Sequence, residues 1–446
     1  MLFRQFVDDD LGCASYLIGD EEAGEALVVD PVYAVEPFLE EAERRGVRIT
    51  RVLETHNHAD HVSGHGRLAL DHGATVAIHR AAEPAYPFEP LADGNELELG
   101  SVAVRVVHTP GHRPEHCCFT VADRSRSDEP WLVLTGDSLF IGDVARPDLA
   151  VEAREGAEGL FHSLHRLLAL ADGVEVFPGH VAGSLCGAGM STKASSTVGF
   201  ERRFNAALAA TDVHDFVSER IGDATPRPPN MDRIVALNRG PFVPAPSPLR
   251  QLDSPDGALL LDVRDERAFA AGHVPGAVNV ALASSSFATR AGFVLDPSRP
   301  VAIQAASARE AEQAARGLRS VGFLELAGYL LDGDLTGRLE PVSLDELDRL
   351  LGAEAVELVD VREKDEHDEA YIPGSTHVPF RRVAACASEL GNGKPIVTIC
   401  ATGARASIAA SILTAAGKEA RPVLGSGVAE WQASGRPTAK FRRCGS

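Results

Sequence analysis

Cysteine is scarce in this chain. There are seven in 446 residues, Cys13, Cys117, Cys118, Cys186, Cys386, Cys400 and Cys444, and no two form a C-x-x-C pair. That spacing excludes a disulfide framework and a zinc ribbon, so each thiol must be judged separately. Positive charge is the second shortage: 43 Lys and Arg stand against 64 Asp and Glu, a formal net charge of -21. No basic block is available to grip a phosphate backbone, and nucleic acid is not an expected partner. Long apolar runs are also missing. None approaches the roughly 20 residues that a membrane-spanning helix requires, and Met1 to Asp10 turns acidic where a secretion signal would be basic. The expectation is a cytoplasmic protein without a membrane partner. With 44% hydrophobic residues over this length, the chain can bury two or three cores.

Against these absences stands a dense cluster of potential metal ligands. His56, His58, Asp60 and His61 all fall within T-H-N-H-A-D-H, Thr55 to His61. The apolar stretch Ile49 to Leu53 before it reads as a buried strand that delivers the ligands into a loop. Three segments repeat this grammar of strand, turn and one ligand. Val102 to Val107 leads into T-P-G-H at His112, Trp131 to Leu134 into T-G-D at Asp137, and Val174 to Phe177 into P-G-H at His180. Imidazole nitrogen and carboxylate oxygen suit Zn, Fe or Mn, and a set without cysteine points to a catalytic site rather than a structural zinc knot. One histidine beside a glycine turn is ordinarily a capped or solvent-facing residue. The repeated grammar is what favours a metal. His65 and His116 are close enough in sequence to orient the ligands.

These four motifs in this order resemble the metallo-β-lactamase fold and cover roughly the first 240 residues. The resemblance implies an αββα sandwich with metal at one edge, but a fold shared by lactamases, glyoxalase II and persulfide dioxygenases does not select a reaction. Two stretches, G-D-S-L-F-I-G-D-V-A-R-P-D-L from Gly136 and P-G-H-V-A-G-S-L-C-G from Pro178, look like the persulfide dioxygenase branch, particularly its bacterial forms fused to rhodanese domains. That resemblance implies one Fe(II) per chain held by His56, His112 and Asp137. His58, Asp60, His61 and His180 then orient ligands and exchange protons. In the glyoxalase-like alternative all seven residues hold two Zn, with Asp137 bridging. Arg146, Lys193 and Cys186 lie in the dioxygenase-like segments and could meet substrate, although each has an equally plain surface or packing role.

Proline marks a joint. The clusters at Pro226 to Pro229 and Pro241 to Pro248 cannot continue a helix or a central strand, and the second reads as a linker. Beyond it lies a duplication with a period of about 98 residues: L-L-L-D-V-R-D-E-R-A-F-A-A-G-H-V-P-G-A from Leu259 matches E-L-V-D-V-R-E-K-D-E-H-D-E-A-Y-I-P-G-S from Glu357. Strands alternating with short helices make each unit a small α/β domain. D-V-R followed by x-I/V-P-G resembles the rhodanese family in both copies. The expected organisation is therefore α/β and α+β multidomain: a metal domain over residues 1–240 and rhodanese-like domains over 241–340 and 341–446.

The copies differ where chemistry would occur. In the second, a strand at Ile396 to Ile399 delivers Cys400 into C-A-T-G-A-R, with a helix beginning near Ala404. Backbone N–H groups of Ala401, Thr402, Gly403 and Ala404 at a helix N-terminus would favour the thiolate and hold a persulfide formed on it, and Arg405 can add positive charge. In the first copy the aligned loop is Q-A-A-S-A-R, with Gln304, Ser307 and Arg309 in place of Cys400, Gly403 and Arg405. Glutamine cannot carry a sulfane sulfur, so the first copy is expected to be silent.

A rhodanese handles persulfide sulfur, the substrate that an iron dioxygenase of the resembled family would oxidise. The expected activity is therefore oxidation of a low-molecular-weight thiol persulfide by dioxygen to sulfite and thiol, coupled to sulfur transfer that forms or uses thiosulfate. The alternatives are a dinuclear zinc thioester hydrolase with accessory rhodanese domains and a non-catalytic sulfur-relay scaffold. A homo-oligomer is expected.

Overall fold

Aliphatic strands, most of them β-branched, build two six-stranded sheets from the N-terminal part of the chain. In the computed structural model, which describes residues 1–181, 190–221 and 226–441, the first sheet runs Leu2–Val7, Ala14–Asp20, Glu25–Val29, Arg48–Leu53, Thr75–His79, Glu89–Leu91. The second runs Ser196–Thr197, Glu175–Pro178, Leu132–Gly136, Cys117–Asp123, Val102–His108, Glu96–Leu99. Their facing sides share one core, in which Tyr16, Leu27 and Leu53 meet Val104, Phe119 and Leu134. A helix layer covers each outer face: Phe38 and Leu68 pack on the first sheet, Leu160 and Leu164 on the second. This is the αββα arrangement. Cys117 and Cys118 point into different cores, as neighbours in a strand must. Trp131, expected inside its strand, lies before it and is 43% exposed under the Arg126 guanidinium.

The chain divides into two units, Met1–Pro246 with Arg319–Gly322, and Ser247–Leu318 with Phe323–Ser446. Division at Pro246 falls inside the second proline cluster. The second unit contains two four-stranded parallel sheets of identical topology. One has the order Val278–Asn279, Leu259–Asp262, Val301–Gln304, Leu326–Leu330; the other has Thr376–His377, Glu357–Asp360, Ile396–Ile399, Ala420–Pro422. The duplicated D-V-R is a structural lock in both. Arg264 folds back onto Asp262 and donates to the Gly272 carbonyl (2.8 Å), while Arg362 binds Asp360 and donates to the Ala370 carbonyl (2.6 Å). Each lock ties the strand end to the far end of the following short helix. Among the described residues no helix is long and apolar enough to cross a membrane.

Candidate metal centre and sulfur-transfer loop

Every expected metal-site residue lies just beyond the C-terminal end of a strand in the N-terminal unit. His56, His58, Asp60 and His61 follow Arg48–Leu53, His112 follows Val102–His108, Asp137 follows Leu132–Gly136, and His180 follows Glu175–Pro178. Gly136 makes this crowding possible. Its φ is +47°, and a β-carbon there would stand 2.7 Å from His116 Nε2 and 2.8 Å from Thr55 Oγ1.

The seven residues do not form one set. Donor atoms of His56, His112 and Asp137 lie within 4.8 Å of one another, all buried. The His56 and His112 rings stand 5.0 Å apart at 88°, and His112 Nε2 is 3.6 Å from Asp137 Oδ2. The hydrogen bonds decide which nitrogens are free. Thr55 Oγ1 donates to Asp30 Oδ2 (2.8 Å) and so accepts from His56 Nδ1 (2.9 Å), leaving the His56 Nε2 lone pair unprotonated. His112 Nδ1 donates to the Arg146 carbonyl (3.1 Å), which leaves its Nε2 in the same state. Asp137 Oδ1 accepts from His180 Nδ1 (2.7 Å). His56 Nε2 and Asp137 Oδ2 remain buried without a hydrogen-bond partner, as do both ring nitrogens of His58 and Nε2 of His61. Orphaned acceptors are costly, and two imidazoles and a carboxylate aimed at one point fit a metal ion. Burial, with His58 and His112 alongside, holds His56 well below the usual histidine range, and burial lowers His112 as well. Burial opposes the Asp137 charge, but His180 overcomes it and holds the carboxyl well below its ordinary value.

The other four residues divide in two. His58 Nε2 lies 3.2 Å from Asp30 Oδ1 and 3.2 Å from Glu54 Oε2, all three residues buried, with its ring 4.2 Å from that of His56. Burial and His61 disfavour its charge, yet the two carboxylates prevail and raise His58 to about 9. Donor atoms of His58, Asp30 and Glu54 thus form a separate buried group within 4.8 Å of one another. Glu54 is itself fixed by Ser63 Oγ and by His65 Nδ1 at 2.9 Å, which gives His65 an orienting role. Asp60, His61 and His180 gather instead around Cys13. His180 Nε2 is 2.7 Å from Asp60 Oδ2, and Cys13 Sγ lies 3.5 Å from His61 Nδ1 and 3.4 Å from His180 Nε2. Backbone pairing of Cys13 with His180 brings this thiol in. His116 supports Asp137 directly, because its Nε2 accepts the Asp137 backbone N–H at 3.0 Å.

Among the expected substrate contacts, Arg146 is engaged within the protein. Its guanidinium grips Asp148 at 2.7 and 2.8 Å and donates to the Pro226 carbonyl at 3.0 Å, so it serves the centre through its carbonyl on His112. Lys193 is exposed, and no contact among the described residues ties its side chain to the histidines. Cys186 lies outside the described residues. Sequence reasoning missed Cys13, Asp30 and Glu54. Asp30 was the most accessible, since it ends an apolar strand (V-V-D-P) in the same grammar as the ligands.

In the second unit, Cys400 directly follows Ile396–Ile399 and is buried, and the helix Ala404–Ala415 begins at Gly403. Gly403 takes φ +113°, and its N–H donates to Cys400 Sγ at 3.1 Å. Gly427 closes the other side: its β-carbon would stand 2.3 Å from the Cys400 carbonyl. Arg405 does not offer a free charge. Glu366 binds it through both oxygens, at 2.5 and 2.7 Å. In the first copy Gln304 fills the equivalent space, donating from Nε2 to the Leu331 carbonyl at 3.1 Å.

The Metallo-beta-lactamase superfamily model matches residues 8–180 and the Rhodanese-like domain model matches 246–337 and 343–434. The chain belongs to the metallo-beta-lactamase superfamily and carries two rhodanese-like domains. It is 30% identical to the mitochondrial persulfide dioxygenase of Bos taurus over 248 residues, 53% of this chain and 87% of the relative. An uncharacterized protein of Mycobacterium leprae is 33% identical over 46% of this chain and 97% of its own length. A hydroxyacylglutathione hydrolase of Cereibacter sphaeroides is 36% identical over 37% of this chain and 61% of that enzyme. A solved metallo-beta-lactamase from Staphylococcus aureus superposes with a TM-score of 0.68 at 27% identity, covering 74% of this chain and 98% of that one. The persulfide dioxygenase relatives and the rhodanese domains together support an enzyme of sulfur metabolism with a metal-binding fold.

Proposed function

We propose that the metal domain oxidises a low-molecular-weight thiol persulfide, using dioxygen and water, to sulfite and free thiol at one Fe(II) held by His56, His112 and Asp137. The terminal sulfur is oxidised, dioxygen is reduced, and the carrier leaves as the thiol. The observation that carries this reading is the convergence of three acceptor atoms from these residues, while His58 Nε2 lies beside Asp30 and Glu54. A two-histidine, one-carboxylate set leaves positions open for two further ligands. Iron bound there supplies redox chemistry that no side chain of this chain possesses. The protein's own part is to fix the ligands: Thr55 and the Arg146 carbonyl set the histidine tautomers, and His180 and His116 hold Asp137. Sulfur transfer belongs to Cys400, whose thiolate takes a sulfane sulfur under the Gly403 N–H. The first rhodanese-like domain, with Gln304, does not transfer sulfur.

Anaerobic purification, iron reconstitution and metal counting, followed by oxygen uptake with glutathione persulfide, test the reading. One iron per chain with uptake matching persulfide consumed is expected; full iron occupancy without uptake would sink it. A dinuclear zinc thioester hydrolase is the second reading, favoured by the Cys13, Asp60 and His61 group, whose donor atoms also lie within 4.8 Å of one another. Two zincs per chain and thioesterase turnover would establish that reading instead.

A further inference from the structure

The second rhodanese-like domain holds Cys400 but has committed its nearby cations. Arg405 is bound by Glu366, Arg362 by Asp360, and Arg381 by Glu363 at 3.1 Å. The substrate expected at such a loop is nonetheless a dianion, thiosulfate or sulfite, approaching a chain of net charge -21. A free cation does reach the loop, and it comes from the other domain. Arg267 stands on the first turn of the short helix Glu266–Ala271, is exposed, and carries no ion pair among the described residues. A β-carbon on Gly425 would be 3.0 Å from Arg267 Nη2. Gly425 is part of the Cys400 loop environment: its N–H donates to the Thr402 carbonyl at 3.1 Å, and the Gly403 β-carbon position is 3.0 Å from its nitrogen.

This placement is built in. Asn279, buried in the first domain, donates from Nδ2 to the carbonyls of Asp262 and Arg264, both at 3.0 Å, and so shapes the turn that starts the Arg267 helix. The same side chain accepts from Ser407 Oγ at 2.7 Å, and its backbone N–H donates to Ser411 Oγ at 3.0 Å. Both serines lie on the helix Ala404–Ala415, whose N-terminus cradles Cys400. One buried amide therefore registers the Arg267 helix against the catalytic helix. Buried, fully bonded polar contacts of this kind specify a unique arrangement.

We propose that Arg267 of the cysteine-free domain is the anion-docking residue for Cys400, selecting a sulfur oxyanion as donor or acceptor. This rests on the reading of Cys400 as a sulfur carrier. In the donor direction the Cys400 thiolate attacks the outer sulfur of thiosulfate; the S–S bond of thiosulfate breaks, a Cys400 persulfide anion forms and sulfite departs with its two charges. In reverse, sulfite takes the outer sulfur and the thiolate is regenerated. No redox partner is needed, and in both directions the species to be held is the dianion. A guanidinium suits its oxygens through paired donors.

The test uses the full chain. In a Cys400→Ser background, which cannot turn over, thiosulfate binding is measured calorimetrically with Arg267 and with Arg267→Ala. The expected result is about a tenfold weakening, as for loss of one charge-assisted contact, with partial rescue by Arg267→Lys and progressive loss of the difference as salt is raised. In the Cys400 protein, Arg267→Ala should raise KM for thiosulfate by a similar factor and change kcat less than about twofold. Equal affinities with and without the Arg267 guanidinium, an unchanged KM, or no thiosulfate binding in the Cys400→Ser protein at all would each overturn the assignment. Absence of sulfur transfer in the unaltered protein would instead overturn the Cys400 reading, while the binding comparison still decides the role of Arg267.

Discussion

The two rhodanese-like domains share a sheet order, a D-V-R lock and a strand aimed at the same loop, yet only one carries a cysteine there. At the end of Ile396–Ile399 the backbone opens into a ring with Gly403 at φ +113° and a thiol beneath its N–H. At the end of Val301–Gln304 a glutamine amide plugs the equivalent space and donates to a loop carbonyl. The difference teaches that the scaffold and the chemistry are separable. The lock that builds the domain lies in Asp262 and Arg264, or Asp360 and Arg362, whereas reactivity lies in the few residues after the next strand.

The sharpest way to break the comparison is to exchange the loop residues. Cys400→Ser is expected to reduce sulfur transfer by more than about a thousandfold while leaving the initial rate of oxygen uptake intact, and adding Gln304→Cys should not restore transfer. Restored transfer would show that the first loop is competent after all. The converse variant is nearly as large in effect. His112→Ala should leave iron content near zero and abolish oxygen uptake, with sulfur transfer unaffected; His180→Ala, which removes only the partner of Asp137, should weaken iron binding by about 10- to 100-fold. A pure sulfur-relay scaffold predicts no functional consequence from either histidine change.

Smaller effects sharpen the same contrast. Gly403→Ala forces a side chain into φ +113° and should cost about 1–3 kcal/mol, seen as a lowered thermal midpoint and slower transfer, whereas Ser307→Ala in the first loop removes the hydroxyl that accepts the Glu310 N–H and should cost about 0.5–2 kcal/mol without changing transfer. Asn279→Ala leaves buried partners unsatisfied and should cost about 1–3 kcal/mol, measured by chemical denaturation. The last difference is one of pH. His273 of the first domain is buried and its pKa is lowered by that burial below the ordinary 6.5, where the second domain has Tyr371. The unfolded chain takes up a proton that the folded domain resists, so this stability is present above pH 6.5 and is lost as pH falls. Hydrogen-exchange protection factors in the strand Leu259–Asp262, corrected for the intrinsic pH dependence of amide exchange, should fall on acidification, and His273→Tyr should flatten that fall; an unchanged profile would remove His273 as the cause.

Much of this was legible in the sequence because strand, turn and ligand are local. The apolar runs before His56, His112, Asp137 and His180 predict buried strands, and the strand Ile396–Ile399 with the helix start at Ala404 match their expected positions. The division of labour among the seven ligand-type residues was not legible. In T-H-N-H-A-D-H nothing distinguishes His56 from His58, since both are histidines on one loop. What separates their surroundings is Asp30, from another strand, and Glu54, whose carboxylates stand 3.2 Å from the His58 ring. Arg405 is paired for the same reason: Glu366, 39 residues away, is recognisable as its partner only once the fold brings it to 2.7 Å.

By itself, then, the sequence determined the element types, the duplication, the metal-ligand chemistry and the presence of a single thiol at a rhodanese-type loop, because these depend on side-chain periodicity and residue identity. Tertiary structure decided which imidazole nitrogens are left with lone pairs, which arginines are left without a carboxylate partner, and that a cation reaching the Cys400 loop belongs to the domain without a cysteine. Hydrogen bonds and ion pairs between segments far apart in the chain set those outcomes, and their energies depend on distances of a few ångströms that no local pattern encodes.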